Sequence, residues 1–126
     1  GKPRALPKDV AEFRLKFGQE ELEEFKTHND GADLAALEGD LEGYTQHLEH
    51  ILDAYVDQLY VLLGTAYLSG MLTLIPEAWS RVHAANMQKV RATHESQSKR
   101  GSTLDVVKPP GWTPPSHLDL VKDNDL

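Results

Sequence analysis

The sequence predicts an all-α fold: an antiparallel four-helix bundle followed by an extended C-terminal arm. Three observations carry this reading. Apolar residues recur at three- and four-residue spacing through most of the first 93 residues. Proline and glycine fall where helices should start and stop. No segment alternates polar and apolar residues as a half-buried strand would.

The elements follow in order. Pro7 suits the first turn of a helix and Gly18 its end, with Val10, Phe13, Leu15 and Phe17 as the apolar side. A second helix is expected from about Gln19 to Lys26. The stretch from Thr27 to Gly43 is rich in Asp, Asn and Gly and reads as a loop, with a turn of helix around Leu34 to Leu37. Tyr44 to Ser69 is free of proline, and Leu48, Ile51, Leu52, Tyr55, Val56, Leu59 and Leu63 repeat at helical spacing, so a third helix runs there until Gly70. Its second half, Leu59 to Tyr67, is apolar nearly all round, which implies burial on every side and argues against a monomer. Pro76 opens a fourth helix with Ala78, Trp79, Val82, Ala85, Met87 and Val90 inward. Periodicity stops beyond Thr93. Lys108-Pro109-Pro110-Gly111-Trp112-Thr113-Pro114-Pro115 can be neither helix nor central strand. Residues 1–93 thus form the helical domain and 94–126 an irregular, proline-containing arm.

The totals restrict the function. With 20 acidic against 13 basic side chains the net charge is −7, which argues against a nucleic-acid binder. There is no cysteine, hence no disulfide framework and no thiolate metal site. The apolar region Leu59 to Ile75 is interrupted by Gly64, Thr65, Ser69, Gly70 and Thr73 and reads as a buried helix, not a membrane span. No early segment has the charged-then-apolar order of a signal peptide. Cytoplasmic residence is expected.

Two acidic clusters point to chemistry. Glu20-Glu21-Leu22-Glu23-Glu24 lies on the second expected helix, and Asp53-Ala54-Tyr55-Val56-Asp57 on the third, one turn after Glu49. Glu21 and Glu24 share a helix face, as do Asp53 and Asp57. Like charges crowded together need compensation. A divalent cation held by carboxylate oxygens provides it, and magnesium, or manganese in its place, commonly shares its shell with phosphates. Glu49 is a possible further ligand, and Glu20 replaces Glu21 if the helix is rotated. On the fourth helix Asn86 and Lys89 share a face; with Arg91 and Lys108 they offer positive and polar groups to phosphate oxygens. Phe13, Phe17, Trp79 or Trp112 could stack on a flat group, though Phe13 and Trp79 fit a core role better.

The order and spacing of these segments resemble the all-α nucleoside triphosphate pyrophosphohydrolases of the MazG-like superfamily, over roughly residues 10 to 115. The carriers are Glu20-Glu21-Leu-Glu-Glu24, Asp53-Ala-Tyr-Val-Asp57-Gln-Leu-Tyr60-Val, Phe13-x-x-x-Phe17-Gly18, Gly64-Thr65-Ala66, Asn86-Met87-x-Lys89 and Lys108-Pro-Pro-Gly. The last four resemble the small members common in bacteria and phages. The resemblance implies magnesium-dependent hydrolysis of a nucleoside or deoxynucleoside triphosphate to the monophosphate and pyrophosphate, in a homodimer or homotetramer. It implies Glu21, Glu24 and Asp57 as catalytic and metal-binding residues and Asp53 as a further ligand. It also implies Asn86 and Lys89 as phosphate contacts, and it leaves Lys108, Phe13 and Phe17 as substrate-binding candidates. One departure stands out: where the family has Glu three residues before the closing Asp, this chain has Ala54.

Other readings compete. A glutamate-rich helix is usually a solvated face, and acids beside a core can be satisfied by Arg or Lys. His47, His50 and Glu49 hint at zinc or iron, but no Glu-x-x-His pair of the di-iron bundles is present. The chain could be a non-catalytic helical oligomerisation module, or a pyrophosphohydrolase of another substrate such as phosphoribosyl-ATP.

Overall fold

The computed structural model describes residues 1–126, and the chain is mostly helical, as expected. It divides into two units, Gly1–Leu72 with Asp125–Leu126, and Thr73–Asn124.

The first unit is a helical hairpin. α1 runs Lys8–Glu38 and α2 runs Leu41–Leu68. The connection is two residues long. Gly39 takes the left-handed conformation at φ 71°, and its N–H closes the last turn of α1. Asp40 caps α2, its carboxylate accepting from the Gly43 N–H at 2.9 Å.

Two expectations fail here. The first and second predicted helices are one, passing through Gly18, and the predicted loop from Thr27 to Gly43 is helix nearly throughout. A glycine inside a helix costs about 1 kcal/mol relative to alanine. Packing against α2 outweighs that penalty. Gly18 lies against Val61, and Ala32 and Ala35 are buried at 4% and 6% exposure. Small residues on one face of α1 let the two backbones approach closely.

α2 ends as the sequence predicts, with Gly70 at φ 69° just beyond it. Residues near the N-terminus close over that end: the Arg4 N–H donates to the Ser69 carbonyl at 2.9 Å, and Arg4 pairs with Asp125 at 3.5 Å. The core of the hairpin is thin. Ile51, Ala54 and Val61 are its buried residues on α2. The all-round burial expected of Leu59 to Tyr67 is not met within one chain, where Leu59 and Leu62 stand 57% and 63% exposed. Phe13, expected inside, is likewise open.

A 3₁₀ turn, Leu72–Leu74, at the boundary leads into the second unit's α3, Ile75–Asn86, with Pro76 in its first turn as expected. α3 stops sooner than its apolar spacing suggests. Lys89 therefore lies beyond the helix, its N–H donating to the Asn86 carbonyl at 3.0 Å. Trp79, also expected inside, is exposed. The following residues are not strand-free. β1, Val90–Arg91, pairs antiparallel with β2, Val106–Val107, in the register Val90 to Val107 and Arg91 to Val106. Asp105 holds this ribbon: its carboxylate accepts from the Ser98 hydroxyl at 2.7 Å, Arg100 at 2.9 Å and the Val106 N–H at 2.9 Å. Those donors hold its pKa down at about 2.

The proline-rich segment is tied to α3. The Trp112 indole N–H donates to the Ala85 carbonyl at 2.7 Å. Arg81 makes a two-pronged pair with Asp119 at 2.7 and 2.9 Å, just inside the one-turn helix α4, Leu118–Val121. The arm is thus a folded segment built on α3. No single helix is long and apolar enough to cross a membrane.

Candidate metal centre

Antiparallel packing of α1 on α2 brings Glu21 and Glu24 opposite Asp57. One carboxylate oxygen from each lies within 4.8 Å of the others. The helical spacing dictates this: Glu21 and Glu24 are three apart and share the face that meets α2. Glu21 and Asp57 are half-buried, while Glu24 is exposed. Oε2 of Glu21 is buried and has no hydrogen-bond partner. Burial first, then the neighbouring charges of Glu24 and Asp57, pushes the Glu21 carboxyl above the ordinary 4.5. Three converging carboxylates with one orphaned oxygen form a hard, oxygen-only donor set that suits a divalent ion of the magnesium type.

Asp53 is not part of this cluster and is exposed. Ala54, three residues before Asp57, is 2% exposed and faces the helix interface. No carboxylate therefore enters the site from that turn of α2.

The raised Glu21 pKa has a thermodynamic consequence. A carboxyl that holds its proton more tightly folded than unfolded stabilises the fold as pH falls through its raised range, and this gain is complete near the unfolded value of 4.5. Asp105 and Asp119 act oppositely. With pKa values held at about 2, their contributions are full above the ordinary 3.8 and disappear as pH falls through about 2. Metal-free protein should therefore gain melting temperature from Glu21 as pH falls from neutral towards the unfolded value of 4.5. Glu21→Gln should melt higher than wild type at neutral pH and lose that part of the pH dependence. Thermal melts in a chelator read both; identical pH profiles for the two proteins would rule out a strained carboxylate at position 21.

On one side of the carboxylates sits Arg14, whose importance the sequence did not signal. Its Nε donates to the Thr65 hydroxyl at 3.0 Å and its Nη2 to the Val61 carbonyl at 2.8 Å. The guanidinium occupies space left open by Gly64, where a Cβ would come within 2.7 Å of Nη2. It also lies 5.4 Å from the centre of the Phe17 ring. Phe17 and Phe13 are neighbours, their ring centres 6.1 Å apart. They border a shallow depression with Lys16 and Glu20.

An open groove of about 580 Å³ is lined by Lys16, Glu23, Glu24, Thr27, His28 and His50, among others. Glu24 thus belongs both to the carboxylate cluster and to a groove wide enough for a small ligand.

Asn86, Lys89 and Lys108 belong to the second unit. Asn86 closes α3. Lys89 and Lys108 both lie over the Trp112 ring, at 5.1 and 5.2 Å from its centre. The arm therefore brings two lysines far apart in sequence to one indole. They help to line a depression with Lys99 and Arg100. Compared with models of known protein families and with curated proteins, the chain matches none.

Proposed function

We propose that this protein is a magnesium-dependent nucleotide pyrophosphohydrolase, cleaving a nucleoside or deoxynucleoside triphosphate to the monophosphate and pyrophosphate. The observation that carries the reading is the convergence of Glu21, Glu24 and Asp57, with one Glu21 oxygen buried and unpartnered. When bound, magnesium or manganese neutralises phosphate charge and polarises the phosphoryl group. Glu21, Glu24 and Asp57 would hold the ion from the two helices, and a carboxylate of the same cluster would accept the proton of the attacking water. Lys16, in the groove beside Glu24, offers charge to the substrate's phosphates. Lys89 and Lys108 are substrate-binding candidates of the second unit, held by Trp112.

The test is a panel of triphosphates, with phosphoribosyl-ATP included, incubated with protein and magnesium and analysed for monophosphate and pyrophosphate. Turnover of at least one compound is expected. Absence of turnover, together with no change in melting temperature on adding metal and nucleotide, would favour a non-catalytic helical module. A ligand that binds only the folded state must raise that temperature.

The same reading includes a homo-oligomer. Leu22, Leu52, Leu59 and Leu62 are each more than half exposed on the hairpin. A second hairpin laid on these rows would complete a four-helix bundle and supply the burial that α2 lacks. Leu59→Asp should shift the molar mass measured by light scattering towards that of the single chain. A monomeric wild type at micromolar concentration would reject this part of the proposal.

A further inference from the structure

Three histidines meet across the hairpin one turn from the carboxylates, and they differ from them in chemistry. His28 lies on α1, four residues after Glu24; His47 and His50 lie on α2. The Nδ1 atoms of His28 and His47 face each other at 3.1 Å. The His50 ring stacks on His28, centres 4.4 Å apart and planes within 17°.

Two facing Nδ1 atoms have few ways to coexist. If both carry a proton they repel, so at most one does. They then share that proton, or both lone pairs point at one cation. The spacing suits the second. An ion 2.0–2.1 Å from each nitrogen, the usual zinc–imidazole distance, would see them about 100° apart. That lies between the octahedral and tetrahedral angles.

The backbone makes room for this pair. A Cβ at Gly31 would come within 2.5–2.9 Å of three atoms of the His47 ring. Glycine at position 31 thus lets His47 lie against α1 and reach His28, despite its cost inside a helix. His50 is exposed; its ring, stacked on His28, would have to rotate to bring a nitrogen to the same point, and the groove beside it opens the remaining positions to water.

We propose that His28 and His47, with His50 as third ligand, form a second cation site that takes a divalent ion of the zinc type. Imidazole nitrogens favour zinc, nickel and copper, whereas the neighbouring carboxylates favour magnesium and manganese. Each site thus selects its own class of ion. The inference rests on the hairpin geometry alone and stands whether or not the protein hydrolyses nucleotides.

The test is a calorimetric zinc titration of chelator-treated full-length Asp57→Asn protein, in which the carboxylate cluster is already broken. One zinc per chain is expected. Adding His47→Gln should weaken binding at least about tenfold, as should His28→Gln. Acid should release the ion, because a protonated imidazole nitrogen cannot ligate. Gly31→Ala gives an independent check: it keeps every donor and favours the helix, but displaces His47, and should weaken zinc in the same way. Circular dichroism confirms that each variant is folded. Imidazole ¹⁵N shifts of the Asp57→Asn protein give a direct readout that needs no histidine variant: the His28 and His47 Nδ1 signals should move on zinc addition. No zinc uptake, unmoved Nδ1 signals, or folded histidine variants that bind like their parent would overturn the proposal and leave a shared proton as the role of the pair.

Discussion

Glu24→Gln and Asp57→Asn are each expected to lower kcat/KM for a triphosphate by at least about 100-fold while leaving helical content unchanged. Groups that merely orient a metal ligand cost 10- to 100-fold when removed, so a ligand itself should cost no less. The two residues approach the cluster from different helices. The amides are nearly the same size as the acids but lack the charge that holds the ion. Rates measured over a range of magnesium concentration separate the possible causes. Weakened metal binding raises the magnesium requirement, and partial recovery at high magnesium is the expected pattern. A variant that keeps the full rate would show that the chemistry takes place elsewhere in the chain.

The second large effect is on stability. Ala54→Glu would place a glutamate at a position that is 2% exposed. The longer side chain has no space between the helices, and its charge would be buried without a partner. Overpacking a core costs about 1–3 kcal/mol, and a buried unpaired charge adds several more. The metal-free variant should be destabilised by at least about 3 kcal/mol in urea, enough to unfold a large share of a marginally stable domain. A midpoint close to that of wild type would mean that α1 and α2 pack more loosely at this level than Ala54 suggests. Alanine fits at this position because the helices touch there, and the cluster has three carboxylates.

The carboxylate cluster was legible in the sequence because helical spacing alone places Glu21 beside Glu24, and the apolar stripe of α2 tells which side of Asp57 faces inward. The C-terminal end of α2 and the start of α3 were legible from Gly70 and Pro76. The continuity of α1 was not. Gly18 and the run Asn29-Asp30-Gly31 disfavour helix locally, and contact with α2 overrides them. The small residues Gly18, Gly31, Ala32 and Ala35 were the available signal of close helix approach. The β1–β2 ribbon was hidden because two-residue strands carry no alternation, and Asp105 anchors them through contacts that spacing does not reveal. His28 was invisible as a partner of His47 for a simpler reason: nineteen residues and a misread loop separate them.

The brevity of the Gly39–Asp40 turn restricts how chains of this design can change in length. With no slack at the bend, deleting one residue between His28 and Gly39 rotates Glu24 and His28 by about 100° and shifts them by about 1.5 Å relative to α2. Both the oxygen cluster and the imidazole pair would come apart together. Tolerated insertions and deletions should therefore arrive as matched whole-turn steps in both helices, or fall beyond residue 72, where they leave the hairpin register untouched.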